Sequence, residues 1–114
     1  MPVLKIQTNV ETESNIKEAF LDIASATVSR ILHKPETYVM VILEYNSDMR
    51  FAGDDSPLAY LELKSIGLPS DHTRELSQAL CQLITTHLAI QPNRIYIEFA
   101  NAEHHMRGWN SSTF

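Results

Sequence analysis

The sequence predicts an α/β fold built from a tandem β-α-β repeat, with a four-stranded mixed sheet carrying two helices on one face. Three observations predict it. Four segments are strand-like, with apolar alternation or short β-branched and aromatic runs, while two others repeat apolar residues every three to four positions. These segments follow the order strand, helix, strand twice over. The two halves also match. KPETYVMVILE begins at Lys34, and QPNRIYIEFAN begins at Gln91, 57 residues later and half of the 114-residue chain. In both, a proline stops a helix and a hydrophobic strand starts three residues on. Parallel strands joined by a helix need about this much chain, and the crossover is almost always right-handed.

Residues 2–8 form the first strand, with Val3, Leu4 and Ile6 set against Lys5 and Gln7. Pro2 fits a strand's first position, where its missing N–H is not needed. If Met1 is removed, Pro2 instead carries a free secondary amine, a candidate base. Ser14 is placed to cap a helix over 14–32. Its predicted apolar stripe runs through Ile16, Phe20, Ile23, Thr27 and Ile31, widened by Leu21, Ala24 and Val28. Residues 38–45 read as a strand, and Val39–Leu43 is apolar without a break, the pattern of a strand buried on both faces. Residues 58–66 alternate with period two. A second helix follows Pro69-Ser70, with Leu76, Leu80, Leu83, Ile84 and Leu88 on one side, and residues 94–100 make the last long strand.

Two helices cover only one face of such a sheet, so the apolar second strand calls for a further cover. A small domain also gains proportionally by burying more surface. The expectation is a homo-oligomer whose sheets pack together under cyclic symmetry.

Length and composition fit one soluble domain over residues 1–114, 44% hydrophobic and 20% charged. A net charge of −5 argues against a general nucleic-acid surface. No run approaches 18 apolar residues, so no membrane span is expected. The sequence starts without a basic region followed by an apolar run, which makes the cytoplasm the default compartment. A single cysteine, Cys81, rules out an internal disulfide and reads as a small core hydrophobe.

The candidate chemistry is sparse. His104 and His105 follow Glu103, but adjacent side chains diverge, and His33, His72 and His87 stand alone, so no metal site is expected. Gly53, Asp54 and Asp55 read as a turn. Lys34 follows the first helix, where a cation also suits the negative end of the helix dipole. Trp109 and Phe114 lie in a polar C-terminal stretch, either docking the tail or walling a ligand.

Taken together, Met1-Pro2, Thr8-Asn9-Val10, Lys34-Pro35…Tyr38, Ser65-Ile66-Gly67, Leu80-Cys81…Leu83, Pro92…Arg94…Tyr96-Ile97 and GWNSSTF resemble the macrophage migration inhibitory factor family of the tautomerase superfamily over the whole chain. The resemblance implies a homotrimer with helices outside and sheets inside, and a cofactor-independent active site at each subunit interface. It places the general base on Pro2, carboxylate binding on Lys34 and a substrate contact on the backbone N–H of Ile66. It adds Tyr96 from the neighbouring subunit, with Tyr38, Trp109 and Phe114 nearby. The implied activity is keto–enol tautomerisation of phenylpyruvate-type α-keto acids, with dopachrome-like compounds as further candidates. The alternative is a non-enzymatic cytokine-like signalling or binding protein, which would need a non-classical route out of the cell. A third reading is decarboxylation or hydration by the same proline.

The residue types suit the chemistry. Tautomerisation needs a base that takes a proton beside a carbonyl and returns it to another atom. Burial and a neighbouring cation lower an amine's pKa and leave it neutral and basic. Departures from the family pattern are also visible. Vertebrate members carry a CxxC where this chain has Leu58-Ala59-Tyr60-Leu61, so thiol-redox activity of that kind is not supported. Glu98 stands where vertebrate members have asparagine, and Arg107 where an apolar residue is usual. Lys64, beside Ser65-Ile66, would add positive charge. These three are candidate modulators, with Glu98 and Arg107 expected to pair at the pocket rim and shift substrate preference.

Overall fold

The computed structural model describes residues 1–114. The first unit is β1 (Val3–Thr8), α1 (Ser14–Leu32) and β2 (Met40–Tyr45). The second is β3 (Ala59–Ile66), α2 (Thr73–Leu88) and β4 (Ile95–Ala102), and the chain closes with a short ribbon of β5 (Gly108–Trp109) and β6 (Ser112–Thr113). The four long strands lie in the order β2-β1-β3-β4. β1 runs parallel to β2, β3 runs parallel to β4, and the two units join antiparallel through β1 and β3. This is the duplicated β-α-β sheet that the sequence predicts.

Alternation along the central strands divides the sheet into two faces. Leu4, Ile6, Leu61 and Leu63 point to one side and meet Phe20, Ala24 and Val28 of α1 and Leu80 and Ile84 of α2. Val3, Lys5, Gln7, Tyr60, Glu62 and Lys64 occupy the other side and are only partly covered. Within one chain that face has no second layer.

Two expectations about α1 need correction. The buried stripe of α1 is Phe20, Ala24, Val28 and Leu32, while Ile16 and Ile23 are 45% and 40% exposed. Both stripes have helical spacing, and the sheet's position selects between them. Ser14 is the first helical residue and not the cap. The extended residue ahead of the helix is Glu13, which makes no side-chain cap bond, although its carbonyl accepts the Lys17 N–H at 2.9 Å. β2 is an edge strand, half-buried, with Met40 57% exposed. The chain itself does not supply the cover that its apolar run calls for.

The repeat extends to the helix ends, with a different offset. His33 and Ala89 both adopt left-handed backbone after a helix, at φ 54° and 57°. The Ser29 hydroxyl donates to the Lys34 carbonyl, and the Thr85 hydroxyl donates to that of Ile90. A 3₁₀ turn follows each, at Glu36–Tyr38 and Pro92–Arg94. These pairs are 56 residues apart, not 57, because Pro35 precedes its turn whereas Pro92 opens its own. The same turns delay the strands, so Tyr38 lies in a 3₁₀ turn instead of β2, and β4 starts at Ile95.

Candidate functional site

The repeat makes Lys34 conspicuous. Its counterpart in the second unit is Ile90, fully buried in the core. The first unit places a half-buried lysine where the second places a core aliphatic residue. The Lys34 N–H donates to the Ser29 carbonyl at 3.1 Å, so the backbone is pinned on both sides of its side chain.

Lys34 stands near the start of β1. Burial first, then the Lys34 ammonium and the Arg107 guanidinium, hold the Met1 amine below its usual pKa. Pro2, one residue further in, is fully buried, and its carbonyl accepts the Met40 N–H at 3.0 Å. The antiparallel register pairs Val3 with Lys64. Continuing it sets Pro2 beside Ser65 and Met1 beside Ile66, both of which are buried. Pro2, Lys34 and Ile66 thus gather at one end of the sheet.

The C-terminal ribbon adds an aromatic wall at the same end. Asn110 and Ser111 take positive φ, 50° and 61°, the geometry of a tight two-residue hairpin turn. The Phe114 N–H donates to the Arg107 carbonyl at 3.0 Å, folding the tail back. Trp109 stacks on Phe114 with centroids 5.4 Å apart, and Tyr38 meets both edge-on at 5.5 and 5.7 Å. Met1, Val3, Tyr38, Met40, Trp109 and Phe114 line a pocket of about 230 Å³. A separate hollow of about 430 Å³ is lined by Asn101, Ala102, Glu103, Met106 and Arg107.

Not every candidate residue comes to this end. Tyr96 pairs with Tyr60 in the β3–β4 ladder, five positions from Ser65. That is roughly 17 Å away along the strand. Tyr96 is 66% exposed and packs on Phe51, with centroids 4.8 Å apart. Glu98 and Arg107 do not pair within the chain. Glu98 instead accepts a hydrogen bond from the Tyr60 hydroxyl at 2.6 Å, which pushes that phenol up to about 12. Lys64 pairs with Glu62 at 3.3 Å, on the uncovered face. Arg107 keeps a buried Nε without any hydrogen-bond partner.

Sequence reasoning assigned no role to the polar braces around these groups. Asn9 donates to the Asp55 carbonyl at 2.8 Å and accepts the Leu58 N–H at 2.9 Å. Thr8 donates to the Leu58 carbonyl at 2.7 Å. Arg94 grips the same loop through Asp54 at 2.7 Å and the Ser56 and Pro57 carbonyls, with its guanidinium over the Phe51 ring. Asn101 accepts the Leu68 and Ala102 N–H groups. Thr8, Asn9 and Arg94 stood in the motifs that carry the resemblance. Asn101 carried no signal.

Comparison with known proteins agrees with this architecture. A family model described as macrophage migration inhibitory factor matches residues 1–114. Homologues of that factor from Trichinella spiralis and Brugia malayi are 35% and 37% identical over 115 residues, covering all of this chain and 100% and 99% of theirs. The mouse factor is 34% identical, with 99% of its length covered. Among solved structures, a homologue from Prochlorococcus marinus superposes with a TM-score of 0.92 at 37% identity, over 98% of each chain. The Trichinella spiralis structure gives 0.92 at 34% identity, over 98% of this chain and 99% of that one. The chain belongs to the macrophage migration inhibitory factor family, within the tautomerase superfamily.

Proposed function

We propose that residues 1–114 form a single-domain, cofactor-independent keto–enol tautomerase of phenylpyruvate-type α-keto acids, with Pro2 as general base. The observation that carries the reading is the electrostatic setting at the start of β1. An amine there lies in a partly desolvated pocket beside two cations, and its pKa is lowered. While Met1 is attached, the Pro2 nitrogen is an amide and has no basic lone pair. Once Met1 is removed, that nitrogen becomes a secondary amine subject to the same field.

The reaction then needs no added atom. The neutral amine takes a proton from C3 of the keto acid, and the C–H electron pair becomes the C2–C3 double bond. The carbonyl π pair moves to oxygen, which receives the proton back from the ammonium. Lys34 binds the carboxylate and stabilises negative charge developing on the enolate. The Ile66 N–H is a further candidate donor, and Tyr38, Trp109 and Phe114 enclose an aromatic substrate ring.

The reading includes a homotrimer. Tyr96 lies at the opposite end of its own sheet from Pro2, so it joins a Pro2 pocket only if a second copy supplies it. The uncovered sheet face and the apolar edge strand β2 favour such packing.

The test is an intact-mass measurement and a phenylpyruvate tautomerisation assay on one batch, with Pro2→Gly alongside. Active protein lacking Met1, with activity collapsing in the variant, supports the base. Fully processed protein without activity favours the cytokine-like binding alternative.

A further inference from the structure

The aromatic pocket at the start of β1 already has an occupant. Met1 lines it with Val3, Tyr38, Met40, Trp109 and Phe114, and is itself half-buried. Its backbone has little freedom to swing away. Pro2, the next residue, is fully buried, and its carbonyl accepts the Met40 N–H at 3.0 Å. A residue ahead of proline is also confined largely to extended conformations by the proline ring. Methionine suits the place, because an unbranched thioether fills irregular apolar gaps and makes favourable contacts with aromatic rings. Tyr38, Trp109 and Phe114 offer three rings, packed on one another. With Met1 in place the remaining space is about 230 Å³. Small-molecule pockets begin at roughly 300 Å³. Most of the wall is fixed. Val3 and Met40 are paired across the β1–β2 ladder, and the Tyr38 and Phe114 N–H groups donate to the Pro35 and Arg107 carbonyls. Met1 lies ahead of β1, so it can leave without breaking the sheet.

We propose that Met1 is an autoinhibitory plug, whose side chain closes the pocket to ligand until it is removed. This rests on the reading above that ligand enters beside Pro2, and adds a steric lock to the chemical one. Hydrolysis of the Met1–Pro2 bond by an aminopeptidase consumes one water. The hydroxyl goes to the methionine carbonyl carbon and the proton to the proline nitrogen, and free methionine departs. The cut that makes the base also clears the space beside it, so the unprocessed chain neither binds ligand nor turns it over.

The experiment compares three forms of the full chain, each verified by intact mass. One retains Met1, one has lost it to methionine aminopeptidase, and one carries Met1→Gly, released from a cleavable leader. The glycine form keeps the Pro2 nitrogen as an amide but has no side chain to fill the pocket. The probe is p-cresol, a neutral aromatic, so the charge of a newly freed amine does not enter. Binding is followed by calorimetry and by the emission of Trp109, the chain's single tryptophan. The processed form should bind about tenfold or more tightly than the Met1 form. Met1→Gly should match the processed form within about threefold while remaining unable to tautomerise phenylpyruvate. Equal affinity in the Met1 and processed forms overturns the plug. So does weak binding by Met1→Gly, which would assign the block to the added backbone, and so does a processed form that binds no p-cresol. A processed form that binds the probe tightly but leaves phenylpyruvate unchanged defeats the tautomerase reading and leaves the plug standing.

Discussion

At the scale of single residues, the site depends on charges held close to a nitrogen. Lys34 lowers the affinity of the nearby amine for protons. Replacing it with alanine should raise the Pro2 pKa. The neutral base then appears only at higher pH, and the acid limb of the pH–rate profile moves upward. The lost carboxylate contact should also cut kcat/KM for phenylpyruvate by about tenfold or more. Both effects are read from one pH series. Tyr60 gives a second, independent signal. Its phenol is raised chiefly by its hydrogen bond to Glu98 and stays protonated to about pH 12. Ultraviolet titration should show one tyrosine ionising there, and Glu98→Gln should move that step downward. Lys34 was legible in the sequence only through the family resemblance, because a lysine after a helix equally suits the helix dipole. Its meaning became physical once the fold set it opposite buried Ile90 in the repeat. The unpaired Nε of Arg107 was not legible, since pairing depends on which strand face each carboxylate occupies.

At the scale of elements, periodicity located α1 at residues 14–32, but not the face it buries. Two helical stripes, one through Phe20, Ala24 and Val28 and one through Ile16 and Ile23, compete within its sequence. The sheet decides, and a substitution pair can read the decision. Phe20→Ala should cost about 3–5 kcal/mol in urea unfolding. Ile23→Ala, at a position 40% exposed, should cost well under half of that. The 3₁₀ turns after both helices escaped the sequence because one turn is too short to show a period. The β5–β6 ribbon escaped because Asn110 and Ser111 adopt positive φ without a glycine between the strands. Loop 46–57 is held by Arg94, which also keeps the Asp54 carboxyl below its usual pKa, after the hydrogen bond from the Ser56 N–H. Arg94→Ala should speed amide exchange across that loop while leaving β1 protected, a contrast that exchange mass spectrometry resolves.

At the scale of the whole molecule, the sheet is half-dressed. Its central strands are packed against helices on one side, and its other face carries Lys5, Glu62, Lys64, Glu98 and Tyr60 beside apolar Val3 and Ile42. The sequence anticipated this imbalance from the unbroken apolar run of β2, and the structure places that run on an open edge. Light scattering should find three copies per particle. Ile42→Glu, which sets a charge on the partly covered edge strand, should yield smaller particles with native helical content and little tautomerase activity.

The separation of Pro2 and Tyr96 along the sheet also has a genetic consequence. If each working centre draws one residue from each of two polypeptides, two defective alleles can repair one another. A chain lacking the proline and a chain lacking the tyrosine, each inert alone, would regain measurable turnover when co-expressed, because some interfaces in the mixed particles unite an intact half from each parent.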